Sequence, residues 1–191
     1  MIRKAKKSDF EFIYPILKQI FDEMDMASIK KLPESQFYDL MRLGFVSEYY
    51  RYSYHRIWVY ADTKDKPIGM IAMYSYEDQK VIDFVLKKEY AKVGLATDTV
   101  IFDDKEAWPN EWYVDSLAVT PKHWGEHIAS HLLDYAFKIA EQKKFNKISL
   151  NVDKENPRAQ KLYVHKGFKT VDKMTIGDRN YDHMIKKVNL N

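Results

Sequence analysis

The stretch YVDSLAVTPKHWGEHIASHLLDYAF, residues 113–137, carries most of the residues whose types and spacing suggest chemistry. A strand pattern breaks at Pro121 and re-forms as an amphipathic helix, with PKHWGEHIA between the two. A strand that ends in a loop and feeds a helix N-terminus is an anion site. The first helical N–H groups lack internal partners, and the helix dipole places partial positive charge there. Lys122 and His123 add donors, and Gly125 lets the backbone approach a ligand closely. An ordinary β–α turn capped by solvent looks the same, so both readings stand at this point. A second feature is Asp115, the only charge in VDSLAV, where a buried central strand would ordinarily have none. A carboxylate in that place is either paired or functional. Desolvation would raise its pKa and make it a better base. Glu111 lies on the same face by period two and is the alternative base; a water relay would need neither. His123, His127 and His131 fall at i, i+4 and i+8, but His123 precedes the expected helix and no carboxylate pair completes a metal site. No metal is expected.

These residues need elements to hold them. EWYVDSLAV reads as a strand. GEHIASHLLDYAFKIAEQKKF reads as a helix with Ile128, Leu132, Leu133, Ala136, Ile139 and Ala140 on its apolar face. KISLNV (147–152) is a strand. NPRAQKLYVHKGF is a compact helix with Asn156 as N-cap, Pro157 at the first helical position and Gly167 just past the end. Phe168 opens another strand, GDRN (177–180) turns, and YDHMIKKVNL (181–190) is the last strand. Upstream, residues 2–6 suggest a short strand. Ser8 with Glu11 reads as a capping box for a helix carrying Phe12, Ile13, Ile16, Leu17, Ile20 and Phe21. A second helix is expected from about Pro33 to Tyr50. RIWVYAD (56–62) and PIGMIAMYSY (67–76) read as a hairpin, with a bulge or close backbone approach at Gly69. Residues 77–110 contain a helical pattern in KVIDFVLKKEYAKVGL and then an irregular or strand-containing excursion, long enough to have a role of its own. Alternating strands and helices imply an α/β (α+β) layer architecture with a mixed sheet. No linker or repeat divides the chain, so residues 1–191 are expected to form a single domain.

The 191 residues and 46% apolar content support a sizeable core and exclude a disordered chain. The 31 Lys+Arg nearly balance 28 Asp+Glu, a net +3 too small for a dedicated nucleic-acid binder. The absence of cysteine excludes disulfides, thiolate catalysis and Cys-based metal sites. No apolar run approaches a membrane span, and MIRKAKKSDF lacks the apolar core of a signal peptide. A cytoplasmic protein with no membrane partner is the expectation.

The order strand–turn–helix–strand–helix–strand over 111–171 resembles the core of the GNAT N-acetyltransferase superfamily. The resemblance lies in LAVTPKHWGEHIASHLL and, about thirty residues on, in NPRAQKLYVHKGF. It extends over nearly the whole chain apart from 77–110. It implies a mostly antiparallel central sheet flanked by helices, in the family's acyl-CoA N-acyltransferase fold. It also implies acetyl-CoA as cosubstrate, bound at the pyrophosphate loop. The family's loop pattern, (Arg/Gln)-x-x-Gly-x-(Gly/Ala), falls here on Trp124, Gly125, Glu126, His127, Ile128 and Ala129. The opening Arg/Gln is Trp, the middle Gly is His, and Ala129 fits. Backbone N–H groups do most of the binding in such a loop, so these changes are compatible with it. His127 adds bulk and Glu126 a negative charge. The resemblance further implies that the strand splays at Leu117, Ala118 and Val119, freeing N–H and C=O groups of Leu117 and Val119 for the pantetheine arm and thioester. It places Asn156 in the cofactor site and Tyr163 beside the CoA sulfur. A Tyr hydroxyl, with a pKa of about 10, is nearly matched to an alkyl thiol. Tyr163 packed on the sheet as an ordinary aromatic is the plainer reading.

Acetyl transfer from a thioester to an amine needs the carbonyl polarised, the amine deprotonated, the thiolate stabilised and the reactants aligned. No covalent nucleophile is required. The expected function is therefore N-acetylation of a small-molecule or peptide amine by direct attack in a ternary complex. Glu77, Asp78, Asp83, Asp98, Asp103, Asp104 and Glu111 around the acceptor side suggest a cationic acceptor, or simply a solvated acidic surface. A non-catalytic acyl-CoA sensor of the same fold is the alternative. A third reading uses the tyrosine-rich 48–58 as a partner interface. A homodimer is left open.

Overall fold

The structure, a computed structural model, describes every residue except 25, 97, 102, 103 and 191. The hydrophobic alternation upstream and downstream of the turn resolves into one sheet. Its strands are β1 (Ile2–Lys4), β2 (Ile57–Ala61), β3 (Pro67–Ser75), β4 (Trp112–Val119), β5 (Lys147–Asp153), β6 (Lys169–Ile176) and β7 (Arg179–Lys187). Their order is β1-β2-β3-β4-β5-β7-β6. Every neighbouring pair is antiparallel except β4 with β5. The mixed, mostly antiparallel sheet expected from the sequence is what forms.

Helices α1 (Phe10–Met24), α2 (Ala27–Lys30), α3 (Glu34–Val46), α4 (Tyr76–Gln79), α5 (Phe84–Glu89), α6 (Ile128–Gln142) and α7 (Pro157–His165) flank the sheet. Successive residues of β2 and β3 point to opposite faces. Ile57, Val59, Met70 and Ala72 bury against Ile13 and Leu17 of α1 and Leu40 and Phe45 of α3. Trp58, Ile71 and Met73 bury against Leu132, Leu133 and Ala136 of α6. All six residues expected on the apolar face of α6 are buried.

Two elements begin or end elsewhere than the sequence suggests. The entrance to α1 is a 3-10 turn, Lys7–Asp9, and Asp9 rather than the Ser8/Glu11 pair caps it. The Asp9 carboxylate accepts from the Lys6 N–H at 2.7 Å and is gripped by Arg3 at 2.7 Å. A buried carboxylate that finds a guanidinium outcompetes an exposed hydroxyl cap. Helix α3 stops at Val46, because Tyr50 and Tyr52 turn inward and stack edge-on at 5.6 Å in the core. This burial also removes most of the 48–58 stretch as an interface; Tyr49 is its exposed aromatic ring. The helical pattern at 80–95 breaks into α5 and a 3-10 turn at Tyr90–Val93, α4 forms ahead of it where the strand was expected to end, and among the described residues the rest of 77–110 forms no strand.

Three local features shape the site. The pairing of β3 with β4 runs Ala72 to Ser116 and then Met73 to Val114, which makes Asp115 the extra residue of a β-bulge. The parallel pairing of β4 with β5 covers only Trp112–Val114 against Ile148–Leu150, so the strands diverge beyond Val114. Gly69 leaves room for α6: a Cβ there would stand 2.9 Å from Ile128 Cγ2 and 3.3 Å from Val119 Cγ2. That is the close approach its place in a strand suggested.

Candidate active site

Where β4 and β5 diverge, the backbone of β4 faces a gap. The Thr120 N–H bonds to Ile68 O at 2.9 Å. Antiparallel alternation then turns Thr120, Ala118 and Ser116 toward β3, and Leu117 and Val119 toward the gap. The expected splay at Leu117–Val119 is therefore present, with one correction. The Val119 carbonyl already accepts the Trp124 Nε1–H at 2.8 Å, leaving its N–H as the group turned outward. Trp124, in the place of the expected Arg or Gln, thus stitches the turn to the end of β4. Its ring is 51% exposed and carries the Arg158 guanidinium of α7 4.6 Å from its centroid. The two side chains meet across the mouth of the gap.

The turn itself is tightly folded. Gly125 has φ 87° and His127 φ 58°, both left-handed. His127 adopts the conformation a glycine would favour there, and His is among the residues that tolerate it best outside Gly. As N-cap of α6 it exposes its ring, so its bulk lies outside the turn. The charge of Glu126 is also turned aside: both carboxylate oxygens lie 3.1 Å from His123 Nδ1. No acidic residue sits in the first turn of α6. Ile128 is buried against the sheet and Ala129 half-buried behind it, which anchors the helix end that presents the free N–H groups. A cavity of about 370 Å³ follows this turn, lined by Leu117, Ala118, Val119, Gly125, His127 and Arg158 among others.

Helix α7 forms the opposite wall. The Asn156 Oδ1 accepts the Ala159 N–H at 3.0 Å, the cap its position predicted. The next turn brings Tyr163 over the sheet, where it packs edge-on to Phe168 at 5.9 Å. Burial alone pushes its hydroxyl up to about 12, above the match with a thiol expected from sequence. A second cavity, of about 480 Å³, opens on the other side of Tyr163. The two cavities share Ile20, Glu23, Leu117, Asn156, Ala159 and Tyr163.

The second cavity is acidic, and its floor is an ion cluster. Arg51 holds Asp83 through Nε and Nη2, the latter at 2.7 Å. Its Nη1 reaches Glu106 Oε1 at 3.0 Å and Asp115 Oδ2 at 3.3 Å. Tyr74 donates to Asp115 Oδ2 at 2.7 Å and Ser116 to Oδ1 at 2.8 Å. Asp115, the expected base, is thus paired, accepting from three donors at the bulge, and it lines this cavity. Tyr113 donates to Glu106 Oε2 at 2.7 Å. Burial first, and the nearby Asp115 charge next among the raising effects, push Glu106 up to about 7 against the pull of Arg51. Glu111, the alternative base, is sequestered: His183 Nε2 lies 3.1 Å from it beneath the Trp108 ring, and it lines neither cavity.

The match with the acetyltransferase (GNAT) family covers residues 17–168. The chain belongs to the GNAT acetyltransferase family. It is similar to a solved structure described as an acetyltransferase, with 38% identity over 99% of this chain and 100% of that one and a TM-score of 0.87. An N-acetyltransferase from Staphylococcus aureus Mu50 shares 29% identity over 97% and 100% of the two chains, with a TM-score of 0.82. The NatC complex bound to Gag peptide and CoA shares the fold, at 17% identity over 99% and 98% and a TM-score of 0.60. No curated protein matches the chain. The GNAT family uses acetyl-CoA, and the gap between β4 and β5 fits it: outward-facing backbone groups, a helix whose first turn holds no acidic residue, and Arg158 at the rim.

In this GNAT acetyltransferase the acidic residues expected at the acceptor side are mostly placed elsewhere. Glu77 pairs with Lys80 on the surface, Asp78 caps α4, Asp98 is exposed, and Asp103 lies outside the described residues. Asp83 holds Arg51, and Asp104 does line the second cavity. Sequence reasoning missed Arg51, Glu106, Tyr113 and Asn151. One signal was available for Arg51, a cation set between tyrosines in the aromatic run EYYRYSYHRIW. None marked Glu106, whose place depends on the Gln79 Oε1 accepting from the Glu106 and Ala107 N–H groups at 2.6 and 2.8 Å. Among the described residues no helix is long and apolar enough to cross a membrane.

Proposed function

We propose that this acetyltransferase moves the acetyl group of acetyl-CoA to a primary amine of a small molecule or peptide, by direct attack in a ternary complex. The observation that carries the reading is the junction of the two cavities at Leu117 and Tyr163. A thioester lying in the gap and an amine arriving through the acidic cavity would meet there.

Each residue then has a task. The N–H groups of residues 125–130 and the α6 dipole hold the pyrophosphate, with Trp124 fixing the turn and Arg158 adding charge. His123 keeps the Glu126 carboxylate off the phosphates. The outward groups of Leu117 and the Val119 N–H meet the pantetheine arm and the thioester oxygen, a role that polarises the carbonyl. Ala118 holds β4 to β3 behind them. Asn156 fixes the start of α7 and offers its amide N–H₂ to the arm. Tyr163 stabilises the departing sulfur. With burial holding its hydroxyl up at about 12, above the range of a thiol, full proton transfer to the thiolate would run uphill. Tyr163 therefore acts by donating a strong hydrogen bond, and the proton that ends on sulfur comes from the reacting nitrogen. The same reading treats 1–191 as one domain, supported by its single sheet, and as a cytoplasmic protein, in line with its lack of cysteine.

Two measurements test it. Acetyl-CoA should raise Tm, since a ligand at a hundred times its Kd stabilises by about 2.7 kcal/mol. A panel of primary amines should then release CoA thiol and give the acetylated amine by mass spectrometry. Binding without turnover on any amine would replace this reading with that of an acyl-CoA sensor.

A further inference from the structure

We propose that Glu106 is the group that takes the proton from the acceptor, and that the acceptor enters as a primary ammonium ion drawn by the uncompensated charge around Arg51. This rests on the acetyl-transfer reading above and names the base and the charge state of the substrate within it.

The Arg51 guanidinium is divided among three carboxylates. Its Nε and Nη2 are committed to Asp83. Its Nη1 alone is shared by Glu106 and Asp115. Among the described residues Arg51 is the cation in direct contact with these three carboxylates. Three negative charges against one positive charge, with side chains 23% exposed at most, is costly in a low-dielectric interior. The cluster needs a second cation or a bound proton. An incoming ammonium supplies the first, and its proton becomes the second.

Of the three carboxylates, Glu106 is the one able to take that proton at the cavity. Asp83 does not line the cavity. Asp115 lines it but accepts from Tyr74, Ser116 and Arg51. Glu106 accepts from Arg51 and Tyr113, one donor fewer. Its position is fixed from both sides, by Gln79 at its backbone N–H and by Asn151 Nδ2, which donates to its carbonyl at 3.3 Å and to the Tyr113 hydroxyl at 3.1 Å. The phenols of Tyr52 and Tyr74 also face the cluster, and that of Tyr181 borders it from β7; burial raises all three. They stay neutral where amines are assayed. Burial places the Glu106 carboxyl at about 7, so a carboxylate and an acid are both accessible near neutrality.

The ammonium gives one proton to a Glu106 oxygen. The freed nitrogen pair bonds to the thioester carbon, the C–S bond breaks with its electrons on sulfur, and the second nitrogen proton passes to the thiolate. Amide and CoA thiol leave, and Glu106 returns its proton to solvent.

The test is the pH–rate profile of kcat/KM for an amine substrate found in the panel above. Wild type should show an acid limb near pH 7. Glu106→Gln should lose the limb and about a hundredfold or more in rate, the lower end for general base catalysis, while its Tm shift with acetyl-CoA stays as in wild type. Two milder variants guard against a folding defect. Tyr113→Phe removes a donor that favours the carboxylate, so the limb should move to higher pH. Asp115→Asn removes a repelling charge, so it should move to lower pH. A purely structural role predicts no such opposed shifts. An active Glu106→Gln variant with the limb intact, or two variants shifting alike or not at all, overturns the assignment. A wild type that binds acetyl-CoA but acetylates no amine overturns the acetyl-transfer reading instead, and this role with it.

Discussion

Burial holds the Tyr163 hydroxyl near 12, so across any practical assay range it keeps its proton. Tyr163→Phe is then expected to lower kcat by about ten- to a hundredfold, the value of one hydrogen bond to a charged group. The shape of the pH profile should be unchanged and Tm nearly so, which stopped-flow thiol release and calorimetry would check. A profile altered in shape would mean that the hydroxyl does transfer its proton. Tyr163 and Asn156 could be read from sequence because their partners are local: an N-cap bond spans three residues, and the helix carries the tyrosine to the junction. The Arg51 cluster could not. Its bonds to Glu106 and Asp115 span 55 and 64 residues, and no periodicity reports such distances. Asp115 shows the limit well. The sequence marked it as paired or functional, and its Arg51 partner and its place in a bulge are visible only in the fold.

At the scale of elements, α6 was legible because its apolar stripe repeats over four turns, and the turn before it was legible in place but not in its left-handed backbone at His127. Its pattern departs from the family at two of six positions, and His127 takes a left-handed φ of 58° where the pattern has glycine. Two substitutions separate backbone from side chain. In Gly125→Ala the new methyl meets nothing within 4 Å, so its cost is conformational only, about 1 kcal/mol or more at φ 87°. Tm should fall and CoA should bind more weakly as the N–H groups tilt. In His127→Gly the left-handed strain is relieved while the N–H is kept. Tm should hold or rise, and CoA affinity by isothermal titration should stay within about threefold. A large loss of affinity in the second variant would make the imidazole a phosphate ligand in its own right. The start of α1 was misread for a related reason: Asp9 caps it because Arg3, on β1, completes an ion pair that local spacing does not reveal.

For the whole molecule, the buried Glu106 ties stability to pH. Its folded pKa of about 7 lies above the usual 4.5. Between those values the folded chain keeps a proton that the unfolded chain has lost, so the stability it contributes is complete below 4.5 and disappears as pH rises through 7. Relative to Glu106→Gln, wild type should therefore lose Tm between pH 5 and pH 8 in a calorimetric series; a constant difference would mean the carboxyl does not titrate there. The architecture has a further consequence. Among the described residues, strand pairing joins the β1–β4 half of the sheet to the β5–β7–β6 half through three residue pairs, Trp112–Val114 with Ile148–Leu150. Beyond them each half has a raw edge, and an extended pantetheine lying between Leu117 and Val152 would serve as the missing strand. The cosubstrate then works as a structural splint as well as a reactant. Hydrogen exchange should report it as slowed amides on both edges at once when acetyl-CoA binds, and as two independently breathing half-sheets each time CoA departs.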